Sequence, residues 1–361
     1  VTWWGIEVSR AADDILFARR GHAGVVTLNR AKALNALTRD MIGALHTRLR
    51  EWAADAAITR VVVTADGERA FCAGGDIRAL YDLGRAGRHE EARDFFREEY
   101  ALNAFIKRYP KPYVSLIDGL VMGGGVGISL HGSHRVAGDR YAFGMPEVGI
   151  GFFPDVGGTH ALPRLPGEIG TWCALTAGRL KTSDGVLSGA ATHYVPSHRF
   201  GALLEALCGA VPVNAVLAVF MATPGAGEIM PRRRTIDRIF AHDRVEDILA
   251  ALDAEAGSAS CDAAFAAETA RGIRAKSPTS LKVALAQMRL GRSRSFEECM
   301  AIEFRVVSRI LHGHDLYEGV RAVIVDKDNA PIWRPASLAE VSEAEVARHF
   351  APLGDTELVL T

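Results

Sequence analysis

Residues 24–64 read GVVTLNRAKALNALTRDMIGALHTRLREWAADAAITRVVVT, and this stretch decides the fold class. Gly24-Val25-Val26-Thr27-Leu28-Asn29 predicts a strand running into a loop. Thr38 to Ala54 then places Met41, Ile42, Leu45, Leu49 and Trp52 on one helical face, with Thr38 as N-cap. Arg60 to Thr64 carries Val61-Val62-Val63, a β-branched run suited to a strand buried on both faces. Strand, helix, strand at this spacing is α/β layering.

Outward from this stretch the alternation continues. Phe71-Cys72-Ala73-Gly74-Gly75-Asp76-Ile77 is a glycine-containing loop, and Arg78 to Lys111 is charged and mostly helical, stopping at Pro110 and Pro112. Tyr113-Val114-Ser115-Leu116-Ile117 predicts a strand that runs into Gly123-Gly124-Gly125-Val126-Gly127 and a small-residue helix. Arg135-Val136-Ala137 predicts a further strand. Beyond about residue 165 the texture is helical, broken at Pro212, Pro224 and Pro231, with helices over Ser280 to Leu290 and Ser295 to Leu311. The Ala/Gly-rich stretch Ala251 to Ala267 reads as alanine-rich helix.

Composition narrows the function classes. With 361 residues, 48% of them hydrophobic and 24% charged, the chain can bury one large core or two ordinary ones. A net charge of −1 lacks the basic excess of a nonspecific nucleic-acid binder, but leaves room for a local anion site. Cys72, Cys173, Cys208, Cys261 and Cys299 are scattered and odd in number, which predicts buried thiols rather than disulfides or zinc. No apolar run is long enough to span a bilayer. Val1 to Arg20 holds Glu7, Asp13 and Asp14 and has neither a secretory core nor the acid-poor character of a transit peptide, so a cytoplasmic protein is expected.

Two glycine-rich loops, Ala73-Gly74-Gly75-Asp76 and Gly123-Gly124-Gly125, each follow a predicted strand. Glycine lets a ligand approach the backbone, and two such loops brought together would supply two convergent N–H donors, an oxyanion hole. Each loop taken alone is more readily read as a tight turn. The spacing of 123–127 is wrong for a dinucleotide fingerprint. Glu147, in Met-Pro-Glu, and Asp155, in Phe-Phe-Pro-Asp, sit beside prolines among apolar residues. Such surroundings raise a carboxyl pKa toward a value useful in acid/base work, although a cap or a turn hydrogen bond explains the residue types as well. Glu98-Glu99-Tyr100 lies on the charged helical stretch and reads first as a solvated face. The histidines show no metal spacing and no G-x-S-x-G elbow is present, so neither a metal site nor a serine nucleophile is expected.

Taken together, Leu28 to Leu37, Phe71 to Ile77, Gly119 to Gly127 and Met145 to Gly158 resemble the enoyl-CoA hydratase/isomerase (crotonase) superfamily over about residues 15 to 200. The likeness is closer to its 3-hydroxyisobutyryl-CoA hydrolase branch. That is carried by Phe95-Phe96-Arg97-Glu98-Glu99-Tyr100 and by Gly151-Phe152-Phe153-Pro154-Asp155-Val156-Gly157-Gly158. It is carried also by the C-terminal stretches Ser277 to Lys282, Gly313-His314-Asp315, Glu318 to Ala322, Asp326-Lys327-Asp328 and Trp333-Arg334-Pro335.

The resemblance implies an α/β crotonase spiral of ββα units. It puts an active-site core in residues 1–210 and a helical region in 211–361 that covers the site or mediates oligomer contacts. It implies that the amides of Gly75 and Gly124 form the oxyanion hole, that Glu147 is the catalytic glutamate and Asp155 the second acid, and that Glu99 and Gly124 contact substrate. Lys32 and Ala33, with the strip Ala73, Asp76 and Ile77, would line the CoA site, and Arg30 and Lys32 are candidates for its phosphates. Hydratases of the family carry a second glutamate two residues after G-G-G; here that position is Gly127, which fits the hydrolases.

The expected activity is hydrolysis of a short 3-hydroxyacyl-CoA thioester, 3-hydroxyisobutyryl-CoA of valine catabolism above all. CoA would enter as part of the substrate, with no metal or redox cofactor. A homo-oligomer, trimeric by resemblance, is expected, with no nucleic-acid or membrane partner. Enoyl-CoA hydration or isomerisation, and a non-catalytic acyl-CoA- or RNA-binding homologue, are the alternatives.

Overall fold

The computed structural model describes residues 13–360, so most of the sequence reading of Val1 to Arg20 falls on residues outside that range. The strands are β1 (Ile15–Arg20), β2 (Ala23–Leu28), β3 (Arg60–Ala65), β4 (Ala70–Cys72), β5 (Tyr113–Ile117), β6 (Leu120–Met122), β7 (His134–Ala137), β8 (Ala142–Gly144), β9 (Arg179–Lys181) and β10 (His193–Tyr194). The early helices are α1 (Arg39–Ala54), α2 (Ile77–Arg85), α3 (His89–Lys107) and α4 (Gly124–Gly127). The described residues form two compact units, each assembled from separate stretches. The first runs to Gly75 and adds Ala101–Phe143 and Leu180–Glu228; the second joins Asp76–Tyr100, Gly144–Arg179 and the chain from Ile229 on.

The first unit is built on a six-stranded sheet of order β1-β2-β3-β5-β7-β10. All its pairings are parallel except β1 with β2, and Val25 and Val26 lie opposite Val62 and Val63. Parallel neighbours need crossovers that cover the faces, so inner strands become continuous apolar runs. The buried run Val61-Val62-Val63 and the fully buried Tyr113–Ile117 show this. On one face Val25, Val62, Val114, Leu116 and Val136 pack with Leu203, Leu207 and Leu217. A four-stranded sheet of order β4-β6-β8-β9 carries both glycine loops, one after β4 and one after β6.

α1 matches its sequence reading residue for residue. The Thr38 side chain accepts the Met41 N–H, and Met41, Ile42, Leu45, Leu49 and Trp52 are buried. A cap of this kind contributes about 1 kcal/mol. Two expectations change. The predicted small-residue helix after the glycines is a short turn made of the glycines themselves, Gly124–Gly127. The alanine-rich stretch 251–267 is not one helix; Val245–Ala256 stops at Gly257, and a new helix starts at Ala263. Of the cysteines, four are buried and Cys261, in that break, is exposed.

The second unit is mostly helical. Pro278–Gly291 starts on Ser277, whose side chain accepts the Ser280 N–H. Phe296–Ile310 starts on a reciprocal Ser295/Glu298 capping box. Among the described residues no helix is long and apolar enough to cross a membrane.

Candidate active site

In the first unit the two glycine loops come together. A Cβ built on Gly74 would lie 3.7 Å from the Met122 carbonyl oxygen and 3.9 Å from the Gly124 nitrogen. One on Gly125 would lie 2.3 Å from the Cys72 carbonyl oxygen, so this contact admits no side chain. Gly74 and Gly123 have φ of +121° and +47°, values that favour glycine. Leu37 donates its N–H to the Gly74 carbonyl, at 2.9 Å, in a parallel bridge that pairs Leu37 with Gly75. Among the described residues neither the Gly75 nor the Gly124 N–H has a backbone acceptor. Two unspent amides at adjoining loops can stabilise developing negative charge. α4 is one turn long, so the donors are the amides themselves rather than a helix macrodipole.

The loop at 30–36 is tied to the first glycine loop by Ala73 N–H to Leu34 O, 3.0 Å. Its hub is Asn35, to which the sequence assigned no role. Asn35 is fully buried, and its Nδ2 donates to the carbonyls of Asp66 and Ala70 at 2.9 and 3.0 Å. Its Oδ1 accepts the Arg30 N–H at 2.8 Å. Its φ of +56° suits asparagine better than most residues. Ala33 closes the short helix at 31–33 beside Lys32, which is exposed. Arg30 is engaged with Asp14 at 3.5 Å and with the Ala36 carbonyl at 3.1 Å. Asp76 and Ile77 belong to the second unit, where Asp76 caps α2 by accepting the Ala79 N–H.

The second unit holds the acids. Glu147, Asp155 and Glu99 are 5%, 4% and 2% exposed, and a fourth carboxyl, Glu303, is fully buried. The solvated-face reading of Glu99 is therefore overturned. α3 buries Ala92, Phe95, Phe96, Glu99 and Asn103. That is an i, i+3, i+4, i+7 stripe, and Glu99 stands on the stripe rather than opposite it. Glu303 stands likewise among buried Phe296, Cys299, Met300 and Val307. A charged residue inside an apolar stripe is the sequence signal that was available for both.

The surroundings are aromatic: Phe96 stacks on Phe152 at 5.5 Å, Phe152 meets Phe153 at 4.7 Å, and Tyr100 meets Phe304 edge-on at 6.4 Å. The Tyr100 hydroxyl donates to Asp155 Oδ2 at 2.9 Å. Glu99 Oε1 and Glu147 Oε2 are buried and have no hydrogen-bond partner among the described residues. Burial lifts Asp155 to about 7 against the pull of the Tyr100 hydrogen bond, and lifts Glu303 to about 8. Glu147 and Glu99 are held well above the usual carboxylate range, by burial first and then by the charges of Asp155 and Glu303. The proline-and-apolar setting of Glu147 and Asp155 thus acts in the direction the sequence suggested.

This cluster has a consequence for stability. A carboxyl whose folded pKa is raised binds more protons folded than unfolded, so stability falls as pH rises between the two values. The window runs from the ordinary values of about 4 to about 7 for Asp155 and about 8 for Glu303. The urea midpoint of the wild type is expected to fall between about pH 5 and about pH 8, and less so in Asp155→Asn. An equal fall in both proteins would contradict this assignment.

Three of the C-terminal stretches, Ser277 to Lys282, Gly313-His314-Asp315 and Trp333-Arg334-Pro335, meet at Asp315. Its carboxylate accepts Ser277 Oγ–H at 2.6 Å and the Arg334 N–H at 2.8 Å. They line a cavity of about 420 Å³ together with Gly151, and neither Glu147 nor Asp155 reaches it. Among the described residues no group of three or more histidine, cysteine or acidic side chains is placed to hold a metal ion.

Comparison with known proteins gives the same direction. The enoyl-CoA hydratase/isomerase family matches residues 23–350. A Danio rerio protein named "3-hydroxyisobutyryl-CoA hydrolase, mitochondrial" is 44% identical over 98% of this chain and 93% of its own length. The Homo sapiens protein of the same name is 41% identical over 96% of this chain and 91% of its own. A crystal structure described as a carnitinyl-CoA dehydratase from Mycobacterium thermoresistibile is 45% identical, with a TM-score of 0.90, over 96% of this chain and 99% of that one. The expectation of a cytoplasmic protein does not stand, because these curated relatives are mitochondrial enzymes. The expectation rested on the acidic residues of Val1 to Arg20, and the body of an enzyme carries no trace in its charge or cysteine usage of an address that receptors read.

Proposed function

The chain belongs to the enoyl-CoA hydratase/isomerase family, and from that premise we propose that it hydrolyses the thioester of a short 3-hydroxyacyl-CoA, 3-hydroxyisobutyryl-CoA being the substrate. Two observations support this reading: the second unit buries the carboxyls of Glu147 and Asp155, and the first unit carries a buried glycine at position 127. Water addition across a double bond uses a second glutamate at that position in the family's hydratases, and Gly127 offers no side chain for it.

In the proposed reaction the thioester oxygen accepts the amides of Gly75 and Gly124, each donor contributing about 3 kcal/mol as negative charge develops. Glu147, once ionised, either takes a proton from water as the water oxygen bonds to the carbonyl carbon, or bonds to that carbon itself. Both routes break the C–S bond and release CoA, whose sulfur leaves as thiolate and is protonated. On the second route water then cleaves the acyl-Glu147 anhydride. Asp155, fixed by Tyr100, would hold the substrate's 3-hydroxyl.

Acyl preference tests the role of Asp155. Isobutyryl-CoA lacks the hydroxyl and would leave a buried polar group unpaired, so its kcat/KM is expected to be lower than that of 3-hydroxyisobutyryl-CoA by about a hundredfold or more. Equal values would remove Asp155 from acyl recognition.

A second reading has one observation in its favour, the 45% identity to the structure described as a dehydratase. Fold and similarity do not choose between these chemistries; the site does. Following crotonyl-CoA hydration beside thiol release separates the two.

A further inference from the structure

We propose that Glu303 is a positioning residue of this reaction, holding through the backbone the turn on which Asp155 stands and presenting a like charge to Glu147. The inference rests on the reading of Glu147 and Asp155 as the reacting acids.

The chain after Asp155 folds back at once, with the Gly158 N–H bonded to the Asp155 carbonyl at 2.8 Å. The Glu303 carboxylate, 146 residues downstream of Gly157, accepts the Gly157 N–H at Oε2 and the Thr159 N–H at Oε1, both at 2.8 Å. Each N–H has its own carboxylate oxygen; in glutamine one of those two positions becomes an NH2, a donor facing a donor. Gln287, on the helix Pro278–Gly291, grips the same turn from its other end. Its Nε2 donates to the Pro154 carbonyl and, at 2.6 Å, to Thr159 Oγ1. The turn is therefore set by two C-terminal helices.

A clamp alone does not account for where this charge lies. The ionisable groups that act with Glu303 are Glu99 and Tyr100 of α3, Glu147, Asp155, and Cys299 one turn earlier on its own helix. None of these is a cation. A buried carboxylate without a cation is costly, and such groups cluster where protonation is used. Because the acids interact, their protons come off in steps belonging to the group. Glu147 is held up by the charges of both Asp155 and Glu303, so taking Glu303's charge away makes Glu147 ionise at lower pH.

The test compares Glu303→Gln, Glu303→Asp and Gln287→Leu with wild type in thiol release from 3-hydroxyisobutyryl-CoA, as kcat, KM and a pH profile, on protein shown folded by circular dichroism. Glu303→Gln is expected to lower kcat about tenfold to a hundredfold, to leave KM within about threefold, and to move the acid limb of kcat/KM to lower pH. Glu303→Asp keeps the charge but is too short to reach both amides, and Gln287→Leu loosens the turn without touching the charge. Both should lower kcat with the acid limb in place, and they keep the proposal testable if Glu303→Gln does not fold. Wild-type kcat and an unmoved limb in folded Glu303→Gln or Glu303→Asp would overturn it. Should wild type release no thiol, the functional reading fails by itself. Carbon-13 titration of the Glu147 carboxyl then decides on Glu303: a lower midpoint in Glu303→Gln supports it and an unchanged one overturns it.

Discussion

Glu147→Gln is expected to lower kcat for thiol release by about a thousandfold or more, with KM changed by less than about threefold. Glutamine has the shape of glutamate, so the packing around this 5%-exposed side chain survives. What disappears is the capacity to accept a proton or bond to the acyl carbon. Stability should not suffer, because a buried acid with an unpaired oxygen becomes a neutral amide. The check is steady-state thiol release together with urea unfolding. A variant within about tenfold of wild type would remove Glu147 from the chemistry on either route.

Gly125→Ala is expected to cost about a hundredfold to a thousandfold in kcat with Glu147 intact. The added Cβ would lie 2.3 Å from the Cys72 carbonyl oxygen and 2.8 Å from the Cys72 Cβ. The nearest obstacle is backbone leading into the other glycine loop, so α4 must move as a whole and carry the Gly124 amide with it. The same overpacking should lower stability by about 1–3 kcal/mol. Measuring kcat well below the unfolding transition separates the two effects. Folded Gly125→Ala with wild-type kcat would mean that the Gly124 amide does not support the developing oxyanion.

Much of this was legible in the sequence, for local reasons. Thr38 with five apolar residues at helical spacing defined α1, and β-branched valines defined β3, because in both a single period decides the element. The prolines and apolar neighbours of Glu147 and Asp155 gave the direction of their pKa shifts, since desolvation follows from near neighbours. Glu99 was misread because a run of charges hides the stripe beneath it, and only the burial of Phe95, Phe96 and Asn103 reveals which face it shares. The burial of Glu303 was open to the same reading, but its role and that of Asn35 were not. Their roles consist of hydrogen bonds to backbone distant in sequence, Gly157 and Thr159 for one and Asp66 and Ala70 for the other. Local patterns carry no trace of such partners.

The most direct measurement is free-thiol release by the wild-type protein from 3-hydroxyisobutyryl-CoA, with hydration of crotonyl-CoA followed at the same enzyme concentration. Rapid thiol release with little hydration is the expected result. Hydration without thiol release would contradict the account and would mean that a glycine at position 127 is compatible with hydratase chemistry.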